Sequence, residues 1–428
     1  MSKIKSIVSR QIIDSRGNPT IETEVFTENH MGRFSVPSGA STGIHEALEL
    51  RDFDNKCYMG KGVLNAVSNV NDIISEKIIG LDVFDQNKID EIMIDLDGTD
   101  NKSNLGANSI LSVSMAVAKV AALEKKTPIY KYLSSFFDVS EFKLPVPMMN
   151  ILNGGSHADN LIDIQEFMIM PVGFNNFSDA LKSGVEIFHC LKKLLKQKKY
   201  LTNVGDEGGF APNLNSNEEA LDFVLQAIDL SGYKIGEDIF LSLDVAASEL
   251  YDSKTNSYIF KSNKNNFSTD KIVNYWEKLV SDYPIISIED PLHEDDWEGW
   301  SILTKKIGNK VQIVGDDLFV TNAKRLSYGI ENKCANSILL KFNQVGSLSE
   351  TIETIKLAKS SGYSTIISHR SGETEDTIIS DMSVAFNLGQ IKTGSLCRTD
   401  RVCKYNQLIR IAEEINDNSY FGKKILKR

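Results

Sequence analysis

The chain has 428 residues, a hydrophobic fraction of 41% and a formal net charge of −11. This length favours two domains, and the composition is that of an ordinary globular protein. An acidic balance argues against a nucleic-acid-binding surface, which would be basic. The five cysteines form no Cys-x-x-Cys pair, which is typical of a reducing compartment. Neither a secretory signal nor an apolar run of about 20 residues is found, so we expect a cytoplasmic protein without a membrane span.

The N-terminal third of the chain has the pattern of a small α+β domain. Residues 3–37 contain three short runs with alternating polarity, separated by turn residues, which is typical of a β-meander. From Glu46 to Phe137 the pattern is mostly helical. A Pro-rich interruption then indicates a boundary. We therefore predict an N-terminal α+β domain over 1–138 and a second, catalytic domain over 139–428.

Six strand-like runs in the second domain each end in a polar or charged residue. They are separated by segments long enough for a helix, which predicts βαβ units and a parallel sheet. The runs end at Asp244, Glu289, Asp316, Lys341, His369 and Lys392. A single charged residue at the end of a strand can simply mark the point where the strand reaches solvent. The recurrence of such residues predicts an α/β fold with a (β/α)₈ TIM-like barrel, whose functional groups lie at the C-terminal ends of the strands.

Three glycine-rich loops carry further polar groups. Residues 37–46 contain Ser41 among glycines and hydroxyls, and on the residues alone a surface loop that caps a helix is the simplest interpretation. A Gly-Gly pair precedes His157, although a single histidine in a loop is usually a surface residue. Glu207 follows another acid among three glycines, where a solvated turn is the alternative to a functional site.

Three carboxylates end successive strands of the predicted barrel, at Asp244, Glu289 and Asp316. Adjacent strands lie about 4.8 Å apart, so these side chains can converge on one cation. Ligation by oxygen alone favours Mg²⁺, Mn²⁺ or Ca²⁺ over zinc, and Mg²⁺ often takes further ligands from a substrate phosphate. Without a cation, three crowded acids would repel one another strongly.

Basic groups follow on the later strands. Lys341 and Lys392 are predicted across the same mouth, and a lysine close to cations has a lowered pKa and can act as a base. Residues 369–371 supply a guanidinium, a hydroxyl and backbone amides, which suit a phosphate or a carboxylate. Glu166 and Glu207 are candidates for proton donation. The set predicts abstraction of a proton next to a carboxylate, followed by acid-assisted loss of a group.

The chain resembles the enolase family over essentially its full length. The matching stretches agree in order and spacing; they include DSRGNPT (14–20), VPSGASTGIHEALELRD (36–52), LNGGSHADN (152–160), QEFMI (165–169), GDEGGFAP (205–212), LDVAAS (243–248), SIEDP (287–291), GDDLFVTN (315–322), LLKFNQVGSLSE (339–350), SHRSGETED (368–376) and GQIKTG (389–394). The resemblance implies a barrel with one early antiparallel strand. It also implies reversible dehydration of 2-phosphoglycerate to phosphoenolpyruvate, as in glycolysis.

The resemblance also implies a role for each matching residue. Lys341 would take the C2 proton, and Glu207 would assist departure of the 3-hydroxyl with support from Glu166. Two Mg²⁺ ions would bind in each active site. The first would be held by Asp244, Glu289 and Asp316, and the second by Ser41 together with the substrate phosphate. Contacts to substrate would come from His157, Gln165, His369, Arg370, Ser371 and Lys392.

Assembly and partners are likewise expectations from the resemblance. Family members form homo-oligomers, either dimers or octamers, and some bacterial members bind partners in RNA-degradation complexes or at the cell surface. The segment 394–398 lacks the Ala-Pro of many relatives, which favours a bacterial type. Two alternatives remain: a different acid dehydratase of the superfamily, and a non-catalytic binding role. The Ser41 loop and the Arg370-Ser371 pair suit a phosphorylated substrate, which argues against a different acid dehydratase. The complete set of matching positions argues against a non-catalytic role.

Overall fold

The N-terminal domain opens with the predicted antiparallel meander. The computed structural model describes residues 2–40, 43–137, 139–262, 265–415 and 419–426. The first strands are β1 (Ser6–Ile13), β2 (Pro19–Phe26) and β3 (Met31–Ser35), paired in that order. The turn between β1 and β2 is closed by Asp14, whose Oδ1 accepts the amide N–H groups of Arg16 and Asn18 at 2.8 and 2.9 Å.

One long apolar helix organises this domain. The helices are α1 (Leu64–Ser68), α2 (Ser75–Ile78), α3 (Gln86–Asp97), α4 (Ala107–Glu124) and α5 (Ile129–Ser134). Helix α4 packs on β2 and β3, and a Cβ at Gly32 would lie 2.3 Å from the carbonyl oxygen of Ala116. Among the described helices, α4 alone is long and apolar enough to cross a membrane, yet most of it is buried within the protein. It is therefore a core helix.

The predicted helical stretch from Glu46 begins later than expected. The first α-helix after this residue starts at Leu64, because the intervening side chains bind distant groups. The guanidinium of Arg51 donates to the carbonyl oxygen of Pro19 at 2.6 Å, and Glu46 pairs with Arg370 of the second domain. The capping hydroxyls expected before Glu46 include Ser41, which lies outside the described residues.

Eight strands close the predicted barrel. They are β4 (Val146–Asn153), β5 (Glu166–Met170), β6 (Phe240–Asp244), β10 (Ile285–Glu289), β11 (Gln312–Gly315), β12 (Ser337–Leu340), β13 (Ser364–Ser368) and β14 (Gly389–Lys392), adjacent in that order. Between β6 and β10 lies a small sheet of β7 (Tyr251–Asp252), β8 (Ser257–Ile259) and β9 (Asn266–Phe267). All six predicted strand runs are barrel strands.

Helices surround the barrel. They are α6 (Phe177–Gln197), α7 (Asn217–Leu230), α8 (Thr269–Asp282), α9 (Trp297–Ile307), α10 (Ala323–Glu331), α11 (Leu348–Ser360), α12 (Ile378–Ala385) and α13 (Thr399–Ile415). Several begin with side-chain caps; the Ser216 hydroxyl, for example, accepts the amide of Glu219 at 3.1 Å before α7.

One strand reverses the barrel order. β5 runs antiparallel to both β4 and β6, and its first residue, Glu166, pairs with Asp244 at the end of β6. The acid at the start of β5 therefore lies at the same mouth as the groups that end the parallel strands. This confirms the antiparallel strand that the family resemblance implied.

The two halves of the chain meet at the start of α11. The amide N–H of Leu348 donates to Ser114 Oγ on α4, and that of Ser349 donates to Asp90 Oδ2 on α3, both at 3.0 Å. The first turn of a helix has amides without partners inside the helix. The N-terminal domain supplies acceptors for two of them. The boundary between residues 138 and 139 stays a prediction.

Candidate active site

The predicted site residues gather in one cleft at the C-terminal mouth of the barrel. Its walls include His157, Gln165, Glu166, Glu207, Asp244, Asp316, Lys341, His369, Arg370, Ser371 and Lys392. Glu289 is fully buried and contacts this group through Lys392. Ser41 lies outside the described residues, so its predicted metal role stays a prediction.

The acid cluster is held by one lysine. Lys392 Nζ donates to Asp244 Oδ2 at 2.7 Å and to Glu289 Oε1 at 2.8 Å, and lies 3.3 Å from Glu166 Oε1. Burial, followed by the charge of Asp244, raises the pKa of Glu289 well above its usual value. Burial also acts to raise the pKa of Asp244, but the Lys392 ammonium outweighs it and lowers that pKa. Two of the three carboxylates predicted to converge, Asp244 and Glu289, are therefore held on one ammonium.

The position of Asp316 depends on a neighbouring acid. Asp290, a left-handed residue with φ of 41°, accepts the amide N–H groups of Asp316 and Asp317 at 2.9 and 2.8 Å. Gln344 Nε2 also donates to Asp316 Oδ1 at 2.8 Å. These bonds hold the segment after β11 so that the Asp316 carboxylate faces the cleft.

Lys341 follows β12 and reaches the same acid. Its ammonium donates to Asp316 Oδ2, while its backbone N–H donates to Thr321 Oγ1 at 2.8 Å. Burial acts to lower the pKa of Lys341, but the charges of Asp316 and Glu289 outweigh it, and the pKa is raised. The lowered pKa predicted from the sequence refers to a lysine beside bound cations, and it stays a prediction.

Two further acids lie beside one imidazole. His157 Nδ1 is 3.6 Å from Glu166 Oε1 and 3.7 Å from Glu207 Oε1, and Asn150 Nδ2 donates to Glu207 Oε2 at 3.1 Å. Burial and the charge of Glu207 raise the pKa of Glu166 well above its usual value. Burial opposes the reverse shift at Glu207, yet His369, followed by His157 and Arg401, holds the pKa of Glu207 well below the usual range. Of the two carboxyl groups, Glu166 is therefore the more readily protonated.

A guanidinium on the loop after β13 completes the cleft. Arg370 pairs with both carboxylate oxygens of Glu46 at 3.0 and 3.1 Å and donates to Asn343 Oδ1 at 3.1 Å. His369 Nε2 lies 3.4 Å from Glu207 Oε2. Burial is the main cause that lowers the pKa of His369 to about 4. The imidazole is therefore neutral at physiological pH.

Family comparisons agree with this geometry. Residues 4–133 match the family described as "Enolase, N-terminal domain", and residues 141–428 match "Enolase, C-terminal TIM barrel domain". The chain belongs to the enolase family. The predicted fold, a TIM-like barrel preceded by a smaller α+β domain, is thereby confirmed. Enolase membership indicates a small-molecule substrate, divalent-metal binding and oligomerisation, while the bacterial type stays a prediction.

The acids of this enolase-family cleft fit a divalent cation. Glu289 Oε2 is buried and finds no hydrogen-bond partner among the described residues, so one carboxylate oxygen is available as a ligand. Asp244 and Asp316 lie on the flanking strand ends, and oxygen donors of this kind suit Mg²⁺. Close by, ligand atoms of Asp290, Asp316 and Asp317 lie within 4.8 Å of one another.

Several groups of this enolase site were missed by sequence reasoning. Glu46 lies in the matching 36–52 stretch but was not assigned a role, and Asn150 lies within β4 rather than at its end. Arg401 comes from α13, outside every matching stretch. A polar residue at the end of a strand-like run indicates a site residue in the sequence, and Glu46, Asn150 and Arg401 do not occupy such positions.

Proposed function

We propose that this protein catalyses the Mg²⁺-dependent, reversible dehydration of 2-phosphoglycerate to phosphoenolpyruvate. The observation that carries the proposal is an amine and an acid pair facing one cleft from opposite sides. Lys341 follows β12, and Glu166 begins β5, four strands away around the eight-stranded barrel. A carbon acid bound between them has a base on one face and a proton donor on the other.

The steps follow from this placement. Lys341 takes the proton from C2, and the electron pair left there forms the C2–C3 double bond as the C3–O bond breaks. The Glu166–Glu207 pair gives its proton to the departing hydroxyl, which leaves as water. Glu207 lies next to the neutral His369 and Asn150, and this supports its assignment to the leaving group.

The remaining charged groups bind the substrate. Arg370 presents a planar guanidinium, which suits a phosphate or carboxylate. Lys392 carries a positive charge beside Asp244 and Glu289. A divalent cation held by Asp244, Glu289 and Asp316 would supply positive charge for the substrate carboxylate and would neutralise the acids that keep Lys341 protonated. A glycolytic role and a cytoplasmic location, with a secondary cell-surface presence, belong to the same proposal.

The test measures the absorbance of phosphoenolpyruvate formed from 2-phosphoglycerate, with and without Mg²⁺. We expect metal-dependent activity that falls by roughly 10²- to 10⁴-fold in Lys341→Ala, because the general base is removed. Exchange of the C2 proton with solvent should vanish in the same variant. Lys305→Ala, which removes an exposed lysine on α9, is the matched control and should keep full activity.

Two results would contradict the proposal. Proton exchange that persists in Lys341→Ala would mean that another group is the base. Turnover of unphosphorylated hydroxy acids in place of 2-phosphoglycerate would assign the chain to a different dehydratase of the superfamily, and absence of turnover with both would favour the binding role.

A further inference from the structure

Arg401 is a fully buried guanidinium on the first turn of α13, and the proposed reaction assigns it no role. An isolated buried charge is costly unless every polar group around it is paired. Its contacts therefore indicate what keeps it in place.

All five N–H donors of Arg401 have acceptors. Nε donates to Asp400 Oδ2 at 2.8 Å. Nη1 donates to the carbonyl oxygen of Arg370 at 2.6 Å and to His369 Nδ1. Nη2 donates to the carbonyl oxygens of Ser371 at 2.5 Å and Asp206 at 3.3 Å. One side chain thus joins α13, the segment 369–371 after β13 and the residue before Glu207.

The backbone leaves room for this side chain. Gly394 has φ of +75°, and a Cβ at that position would lie 2.8 Å from Arg401 Cδ. A larger residue would therefore be strained and would also displace the stem of the arginine. The loop after β14 therefore leaves space for the stem of Arg401, whose guanidinium contacts His369 and the carbonyl oxygen of Arg370.

The contact with His369 has a chemical consequence. A guanidinium donates hydrogen bonds and accepts none, so His369 Nδ1 must be the acceptor and carry no proton. The ring proton then lies on Nε2, the nitrogen that faces Glu207 Oε2. The orientation of a histidine at an active site is commonly set through its other nitrogen in this way.

We propose that Arg401 is a positioning residue that fixes His369 as the neutral tautomer with its proton on Nε2, directed at Glu207. His369 is then a hydrogen-bond donor to the acid and does not compete with it for the substrate proton. The charged groups around the ring are Glu207 from the 205–212 loop, Glu373 from the loop after β13, and Arg401 itself. The two acids favour a second proton on the imidazole, and Arg401 opposes it.

A purely structural role is the alternative, and the chain contains a matched control for it. Lys404, one turn further along α13, is equally buried and donates to Glu373 Oε2 and the Thr374 carbonyl oxygen, both at 2.8 Å. It holds the same region of the molecule without contacting His369 Nδ1. Lys404→Met therefore tests the loss of a buried cation, and Arg401→Met tests the loss of the contact with the ring.

The experiment is ¹⁵N NMR of the imidazole groups in full-length protein labelled at histidine. The chain has six histidines, and His369→Gln identifies the resonances of interest by their disappearance. In the unmodified protein we expect an unprotonated Nδ1 and a protonated Nε2, without change between about pH 5 and pH 8, where an ordinary imidazole titrates. In Arg401→Met the ring should take up a second proton within that range, while Lys404→Met should keep the unmodified signals.

The outcomes separate clearly. A protonated Nδ1 in the unmodified protein overturns the proposal without any variant, so it remains testable even if Arg401→Met does not fold. Unmodified His369 signals in a folded Arg401→Met would overturn it equally. Because these readouts need no turnover, they stand apart from the proposed function.

The effect on catalysis, in contrast, rests on the proposed function. If His369 orients Glu207, Arg401→Lys should lower kcat by roughly 100-fold, since a single ammonium cannot span five acceptors. KM should change much less, and the acidic limb of the pH profile should move to higher pH. A fall in kcat that accompanies a fall in the denaturation midpoint, with an unchanged pH profile, would indicate a structural role only.

Discussion

At the scale of single residues, the guanidinium proposed to bind the substrate anion is oriented by an acid from the other domain. Glu46 binds Arg370 through both oxygens, and both side chains are almost completely buried. The N-terminal domain thus fixes the direction of a cleft-lining guanidinium without contributing a strand to the barrel.

Removal of this acid should destabilise the protein. Glu46→Ala removes the carboxylate that pairs with the buried Arg370 through both oxygens, and we expect the free energy of unfolding to fall by roughly 3 kcal/mol. Chemical denaturation followed by circular dichroism measures the change. Glu237→Ala removes one half of an exposed pair with Lys234 and should change it by less than about 1 kcal/mol. Equal effects of both substitutions would contradict the argument.

The residue scale also shows the limits of the sequence. Lys341, Lys392 and the acids were predicted because each ends a strand, a position that a linear pattern reveals. Glu46 and Arg401 act through contacts between segments more than 30 residues apart in the chain. No local periodicity encodes such contacts.

At the scale of elements, α11 begins on acceptors from the N-terminal domain. Asp90 on α3 accepts the amide of Ser349, and its second oxygen accepts from Gln86 Nε2 at 3.0 Å. The segment between Lys341 and this helix is only six residues long. Because the start of α11 is fixed, the segment that leads back to Lys341 is restrained as well.

This cap predicts a pH dependence of stability. Burial raises the pKa of Asp90 to about 6, above the value of about 3.9 for an unfolded chain. The folded protein then binds this proton more tightly, so its contribution to stability falls as pH rises from about 4 to about 6. In Asp90→Asn this part of the slope should disappear, because an amide accepts the Ser349 N–H at every pH.

Denaturation midpoints of both proteins, measured across that pH range, test the prediction. Other buried acids titrate in both, so the difference between the two curves isolates Asp90. Glu91→Gln changes an exposed acid on the same helix, and this variant should show the same pH dependence of stability as the unmodified protein. A slope unaltered in Asp90→Asn would rule out the raised pKa.

Elements with clear periodicity were predicted and very short ones were not. All six strand ends and α4 agree with the sequence patterns. The strands β7 to β9 have two or three residues each, too few for an alternation to be recognised. The late start of the first helix was missed because residues after Glu46 satisfy long-range partners, which override local preference.

At the scale of the whole molecule, metal binding should stabilise the fold. Asp244, Glu289 and Asp316, the proposed ligands, end neighbouring barrel strands, which lie side by side only in the folded state, so a cation that binds them adds to the free energy of unfolding. At a Mg²⁺ concentration one hundred times Kd, the gain is about 2.7 kcal/mol. Glu289→Gln should abolish this gain. Thermal denaturation with and without Mg²⁺, at matched ionic strength, is the measurement.

A surface acid provides the comparison for this prediction. Glu298→Gln alters an exposed carboxylate on α9 and should retain the Mg²⁺-dependent rise in melting temperature. If Glu289→Gln also retained it, the cation would bind elsewhere. A rise in both proteins of the same size would thus remove the three acids from consideration as the metal site.

The reversed strand β5 has a consequence for how such a site can diversify. β5 forms a hairpin with β4. His157, Gln165 and Glu166 lie within one stretch of ten residues that connects β4 to the start of β5. Such a stretch is a single exchangeable unit: replacing 154–165 with a loop of different length alters His157 and Gln165 together and leaves Glu166 at the start of β5, while the closure of the eight strands is retained. In a barrel with all strands parallel, the same change would require edits at separate places in the gene.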